Sequence, residues 1–170
     1  SDLNTMLNKI LHGVSRIMPH DSANIMVIEN NTARIIQHLD YDKLGINTDT
    51  ISEIRLPLDE TDNLRWVAEN QKPLKIYDTH NSIYFKWFDN IVSSYINSLI
   101  TAPIIIDSKV IGFINVDSAE VNNFTDEQAQ HLMAFANQVA TAIQHTSLIQ
   151  KLNDYTEELE QRVSERTQKL

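Results

Sequence analysis

The sequence predicts an α+β fold, with an antiparallel sheet set between an N-terminal helix and a long C-terminal one. Three stretches carry that reading. Residues 99–106 and 110–116 are two runs rich in β-branched side chains, split by the polar turn Asp107-Ser108-Lys109, which is the pattern of a β-hairpin. Leu3, Leu7, Leu11, Val14 and Met18 recur at three- and four-residue steps, as on one face of a helix. After Thr125 a second helical pattern begins and meets no evident stop.

Taken in order, the first helix is ended by Pro19 and offers its apolar face to the core or to a dimer bundle. Residues 23–29 and 34–39 read as strands joined by Asn30-Asn31, residues that tolerate positive φ. Residues 40–53 are polar, carry Gly45, and read as loop; residues 54–58 are extended around Pro57. A short helix over 62–70 and a short strand over 74–77 follow. Half of the chain's aromatics then fall within residues 77–95: Tyr77, Tyr84, Phe85, Trp87, Phe88 and Tyr95. Such side chains either cap one sheet face or stack on a flat ligand. In the hairpin, Pro103 marks a bulge or a position whose nitrogen faces no neighbour, and Gly112 a close approach by another element. Thr125 is placed as an N-cap with Gln128 three residues on and two acids in the first turn.

The last helix divides in two. Leu132, Phe135, Ala136, Val139, Ala140 and Ile143 are expected to pack on the domain. Beyond them Ala142, Ile149, Thr156, Val163 and Leu170 stand seven apart, with His145, Leu152, Leu159 and Arg166 at the offset of three. That is a heptad seam of about four heptads, or roughly 40 Å, with polar interruptions. A charged helix of this kind needs a partner in water.

Composition narrows the function. The 170 residues carry a net charge of -9, which argues against a nucleic-acid partner. No cysteine is present, which removes disulfides and thiol chemistry and fits a reducing, cytoplasmic setting. No apolar run approaches a membrane span, so no membrane contact is expected from this segment. The six histidines form no HxxxH or HExxH pair, and a dedicated metal site is not expected. With three glycines there is no phosphate-cradling loop, and no nucleophile elbow or paired catalytic acids appear. The chain reads as non-enzymatic, and as a piece of a longer protein, since it lacks an initial Met and ends inside a helical pattern.

The run SLITAPIIIDSKVIGFINVDSAEVNNFTDEQAQHLMAFANQVATAIQH resembles the C-terminal half of a GAF domain, through its Ala-Pro, its turn, VIGFINVDS, the Phe-Thr-Asp-Glu helix start and an Ala-rich closing helix. LPLDETDNLRWVAENQKPLKIYDT resembles the family's middle segment. The resemblance spans roughly residues 7–149. It implies a sheet of five or six strands, with the terminal helices on one face and loops plus short helices on the other. It also implies a domain over residues 1–149 and a signalling, coiled-coil extension over 150–170. ELEQRVSERTQKL resembles the linker that leads into the dimerisation helices of histidine kinases, so the expected role is sensory, in a parallel homodimer of terminal helices ahead of such an output domain. The rival reading is a ligand-free dimerisation spacer.

The family's ligand modes can be compared residue by residue. Covalent bilin attachment and the sulfoxide reductase chemistry of some members use a cysteine, absent here. Many cyclic-nucleotide binders carry Asn-Lys, then Phe, then Asp-Glu; here Asn115 and Phe124 match, but Val116 replaces Lys and Gln128-Ala129 replaces Asp-Glu, which weighs against a cyclic nucleotide. Haem stays open, because histidines are present. A pocket is expected on the sheet face away from the terminal helices, roofed by the aromatic segment. Its candidate residues are Tyr77, Asp78, Tyr84, Trp87, Ser98, Ile100, Phe113 and Asn115. Strand alternation groups Ser98 with Ile100, and Ile111, Phe113, Asn115 and Asp117 together. Asn115 and Asp117 are polar groups in a sheet interior and need partners.

Overall fold

The computed structural model describes residues 2–84 and 94–169. The apolar steps near the N-terminus form α1 (Asp2–Ile17), which buries Leu7, Leu11 and Val14. Fully burying one such side chain is worth about 1.5–3 kcal/mol. β1 (Ser22–Glu29) and β2 (Thr32–Leu39) turn on Asn30 and Asn31, whose φ values of 53° and 57° are those of a two-residue type I′ loop.

Residues 40–53, expected as loop, hold a 3-10 turn at Asp42–Leu44 and a short helix, α2 (Thr48–Ser52). The Asn47 side chain accepts the Asp49 N–H and starts that helix. One turn and a half is too short for apolar periodicity to show, so only the cap residue signals it. Then come β3 (Leu56–Pro57), α3 (Asp62–Asn70) and β4 (Leu74–Ile76). α3 is closed by Gln71 in the left-handed region, its N–H on the Val67 carbonyl.

β5 (Ser98–Ile106) and β6 (Lys109–Ser118) form the expected hairpin, and Asp107 and Ser108 both take positive φ, at 52° and 64°. α4 (Asp126–Lys169) begins with a full capping box. The Gln128 N–H donates to Thr125 Oγ1 at 3.1 Å, and the Thr125 N–H donates to Gln128 Oε1 at 2.9 Å.

Among the described residues six strands make one sheet in the order β3-β2-β1-β6-β5-β4, with every neighbouring pair antiparallel. Gly112 lies where β1 crosses closest: a Cβ there would stand 2.1 Å from the Met26 carbonyl oxygen. Pro103 pairs with Phe113 and lies beyond the last residue of β5 that β4 reaches, so its missing N–H is not needed on that edge.

One sheet face is covered by both terminal helices. Ile100, Ala102, Ile104, Ile114 and Val116 meet Leu7 and Leu11 of α1 and Leu132, Ala136 and Val139 of α4. The two helices touch at Gly13, where an added Cβ would stand 3.1 Å from the Phe135 ring. The other face carries α3 and the loops, with Phe113, Leu99, Leu64 and Val67 in a second core and Tyr41, Ile46 and Ile51 in a third. α4 then leaves the domain. Residues 147–169 are all exposed, and its apolar positions Leu152 and Val163 are 64% and 63% exposed. No helix among the described residues is long and apolar enough to cross a membrane.

Candidate functional site

A cavity of about 300 Å³ lies on the sheet face opposite the terminal helices. Its floor comes from β1, β5 and β6 through Met26, Leu99, Thr101 and Asn115. Its walls come from Ile35 and Tyr41, from Thr50 and Glu53 around α2, from Asn63 and Leu64 of α3, and from Ile96 ahead of β5. Most of the lining is apolar.

The polar floor follows from the register. Asn24 of β1 lies opposite Asn115 of β6, which lies opposite Thr101 of β5, so the three share one face on one rung. They form a row. Asn63 Nδ2 donates to Thr101 Oγ1 at 3.3 Å, and Thr101 Oγ1 donates to Asn115 Oδ1 at 2.7 Å. Asn115 Nδ2 donates to Asn24 Oδ1 at 2.9 Å, and Asn24 Nδ2 donates to the Tyr41 hydroxyl at 2.8 Å. Among the described residues no fully buried side-chain polar atom lacks a hydrogen-bond partner.

The next rung pairs Ser22 with Asp117. Ser22 Oγ donates to Asp117 Oδ2 at 3.1 Å, and the Tyr95 hydroxyl bonds Ser22 Oγ in turn. Asp117 is 5% exposed. Burial pushes its carboxyl up from the ordinary 3.8 to about 7; the Ser22 hydrogen bond opposes this and the Asp21 charge adds to it. Burial also raises Tyr41 and Tyr95, with Asp117 next in effect for each.

Asp117 stands at the junction with both terminal helices. Its carbonyl accepts the Asp21 N–H at 2.9 Å, and the Asp21 carboxylate accepts the Ala119 N–H at 2.7 Å. Asn123 Nδ2 donates to the Pro19 carbonyl at 2.9 Å. The end of α1 and the loop into α4 are thus stitched together beside the cavity.

Of the residues expected from sequence, Asn115 lines the cavity. Phe113 shares its face but is fully buried in the neighbouring apolar core. Ser98 and Ile100 require correction: Ile100 belongs to the helix-face core, and the Ser98 hydroxyl donates to the Glu120 carbonyl in the loop before α4. The physical reason is a bulge. Ile105 pairs with Val110 but Ile104 pairs with Gly112, so Ile111 is extra and the parity of the whole hairpin shifts by one residue. Thr101 and Leu99, rather than Ile100 and Ser98, then lie beside Asn115 and Asp117. For the same reason Ile111 packs with the helix-face core rather than beside Phe113.

Tyr77 is 56% exposed and lies outside the lining, as does Asp78, whose carboxylate caps the 3-10 turn Thr79–Asn81. Tyr84 stacks edge-on against Trp66 at 5.7 Å. Trp87 lies outside the described residues, as does much of the aromatic segment expected to form the roof. Sequence reasoning missed Asn24, Tyr41, Asn63 and Thr101. Polar residues in apolar strands were the available signal for Asn24 and Thr101; nothing local marks Tyr41 or Asn63. Among the described residues no histidine lines the cavity, and no group of three His, Asp or Glu could hold a metal ion.

A family model for the GAF domain matches residues 2–143. No curated protein sequence matches the chain. Among solved structures, the fold is similar to a GAF domain/HD domain protein from Geobacter sulfurreducens, with TM-score 0.72 and 11% identity over 86% of this chain and 95% of that one. It is similar to a domain of a putative two-component sensor histidine kinase protein from Sinorhizobium meliloti, with TM-score 0.68 and 14% identity over 88% and 97%. It is also similar to a type II free methionine-R-sulfoxide reductase from Thermoplasma acidophilum, with TM-score 0.67 and 17% identity over 84% and 93%. At these identities the likeness is one of fold. The family match over most of the chain, on the sheet and helices described above, establishes that this chain belongs to the GAF domain family.

Proposed function

We propose that this chain is a sensory module in which a small molecule held in the cavity biases the terminal helices of a parallel homodimer. The observation that carries the reading is the place of the cavity: its polar wall ends at Asp117, which also anchors the junction of α1 with the loop into α4. Occupancy that moves Asp117 by a fraction of an ångström changes how those two helices are held. A ligand shifts such a switch only by its differential affinity for the two states.

Residues 1–149 would form the sensing domain and 150–170 the signalling extension. The extension supports this division by exposing Leu152, Leu159 and Val163, which continue the heptad spacing from Ile149 at the end of the domain, a seam that a second copy would cover. An output domain, in this reading a histidine kinase of a two-component system, would follow residue 170. The kinase-linker resemblance of residues 158–170 and the Sinorhizobium meliloti neighbour both favour it. The chain itself would carry no catalysis. The reductase chemistry named for the Thermoplasma neighbour is not transferred, since the resemblance ties it to cysteine and this chain has none.

A second reading, a ligand-free dimerisation spacer, is favoured by the internally satisfied polar row. Thermal-shift screening against nucleotides, amino acids, amines and haem separates the two. A native-state ligand at a hundred times its Kd adds about 2.7 kcal/mol and raises the midpoint by several degrees. Absence of any stabilising compound favours the spacer. Sedimentation tests the seam: the chain is expected to dimerise, and a Leu152→Glu/Val163→Glu double variant to run as a monomer with the same melting of the domain.

A further inference from the structure

We propose that the cavity takes a small organic molecule carrying a protonated nitrogen, with its ammonium or amidinium group against the Asp117 carboxylate and its apolar body against Met26, Ile35 and Leu99. This rests on the reading of the cavity as a ligand site and adds the chemical class of the ligand.

The charges in the cavity have one sign. Among the described residues no Lys, Arg or His lines it, and its charged side chains are Asp117 inside and Glu53 at the exposed rim. Arg55, the nearest cation in sequence to Glu53, turns its guanidinium onto the Ser52 and Ile54 carbonyls instead. Among the described residues no ion pair involves Asp117; its carboxylate accepts from the neutral Ser22 hydroxyl, and the charge beside it is the like charge of Asp21. A carboxylate held this way in a nearly dry site is unfavourable unless a cation joins it. An incoming ammonium supplies the missing charge and hydrogen-bond donors to the carboxylate. A phosphate or carboxylate would meet the opposite: two acids and, among the described residues, no basic partner.

The neutral polar row suits the same guest. Asn115 and Asn24 each use one amide hydrogen in the row, leaving a second donor and spare acceptor capacity for a hydroxyl or amide on the ligand. The volume of about 300 Å³ stands at the small end of ligand cavities, which suits an amine of modest size. The net charge of -9 draws cations toward the protein as a whole.

The test is calorimetric titration of the full chain, at pH above the Asp117 transition, with three probes on one skeleton: 2-phenylethylamine, 2-phenylethanol and phenylacetate. The amine is expected to bind at least tenfold tighter than the alcohol, and phenylacetate weakest. Asp117→Asn should cost the amine tenfold or more and leave the alcohol unchanged; Glu53→Gln should cost it less. Should the Asn variant fold poorly, the wild-type chain gives the same information: amine affinity should fall as pH drops through the Asp117 transition. The titratable groups facing Asp117 there are Tyr41, Tyr95 and Asp21, with Glu53 across the cavity. Equal or tighter binding of the alcohol or the acetate overturns the cationic class while leaving the cavity a ligand site. So does a thermal-shift screen whose stabilising compounds are all neutral or anionic. A screen with no stabilising compound at all overturns the ligand site itself.

Discussion

The helix-covered face of the sheet sets Ile100, Ile104, Ile114 and Val116 against Leu11 and Leu132, all fully buried. The opposite face of the same strands sets Asn24, Asn115 and Thr101 beside a void. The first face makes continuous apolar contact with two long helices. The second is covered by short elements, α2, α3 and loops, which cannot reach every part of it. A close-packed face transmits displacement, whereas a face with a void and a hydrogen-bonded floor accommodates a guest. The difference teaches where close packing resides in this domain and where space is left: the strands are shared, and their two sides are built differently.

The largest expected effect breaks the packed side. Leu132→Ala should lose stability toward the upper end of the about 2–5 kcal/mol known for buried leucines, measured by urea unfolding. Leu64→Ala, whose side chain already borders the cavity, should fall near about 2 kcal/mol because it forfeits fewer contacts. Equal losses at the two sites would erase the contrast between the faces.

The next effect sharpens the cavity side through pH. Asp117 is held at about 7 in the fold against an ordinary 3.8, so the folded chain keeps its proton longer than the unfolded chain. Below the ordinary value both states are protonated and stability is untouched. As pH rises between the two values, only the unfolded chain releases the proton, and stability falls; above about 7 both are ionised and the loss is complete. The decline amounts to at most about 4 kcal/mol. Asp117→Asn should flatten it, seen by comparing unfolding free energies of the two proteins at about pH 5 and about pH 8. An unchanged slope would show that the carboxyl is ionised throughout.

The smallest effect returns to the helix side. Thr125→Ala removes one half of the capping box and should cost about 1 kcal/mol, with no change in ligand affinity at the cavity. A loss of binding from that substitution would mean that the start of α4 and the cavity are coupled more tightly than their separate faces suggest.

Much of this was legible in the sequence because local physics decides it. Thr125 and Gln128 cap each other wherever a helix begins there, Asn30-Asn31 turns a hairpin, and the heptad spacing of Ile149, Leu152 and Val163 leaves an apolar stripe on any helix that carries it. The sheet with terminal helices on one face followed from those elements and from the family resemblance. The site did not follow. A single extra residue, Ile111, exchanges the faces of β5 relative to β6, and no propensity in Ile104, Ile105 or Gly112 announces which strand will carry the bulge. Tyr41 and Asn63 reach the polar row from distant segments. The sequence by itself therefore determined the elements and their ends, because those depend on neighbours three or four residues away. Only the tertiary structure decided which side chains share a face and where space is left between them, because register and packing are settled among residues far apart in the chain.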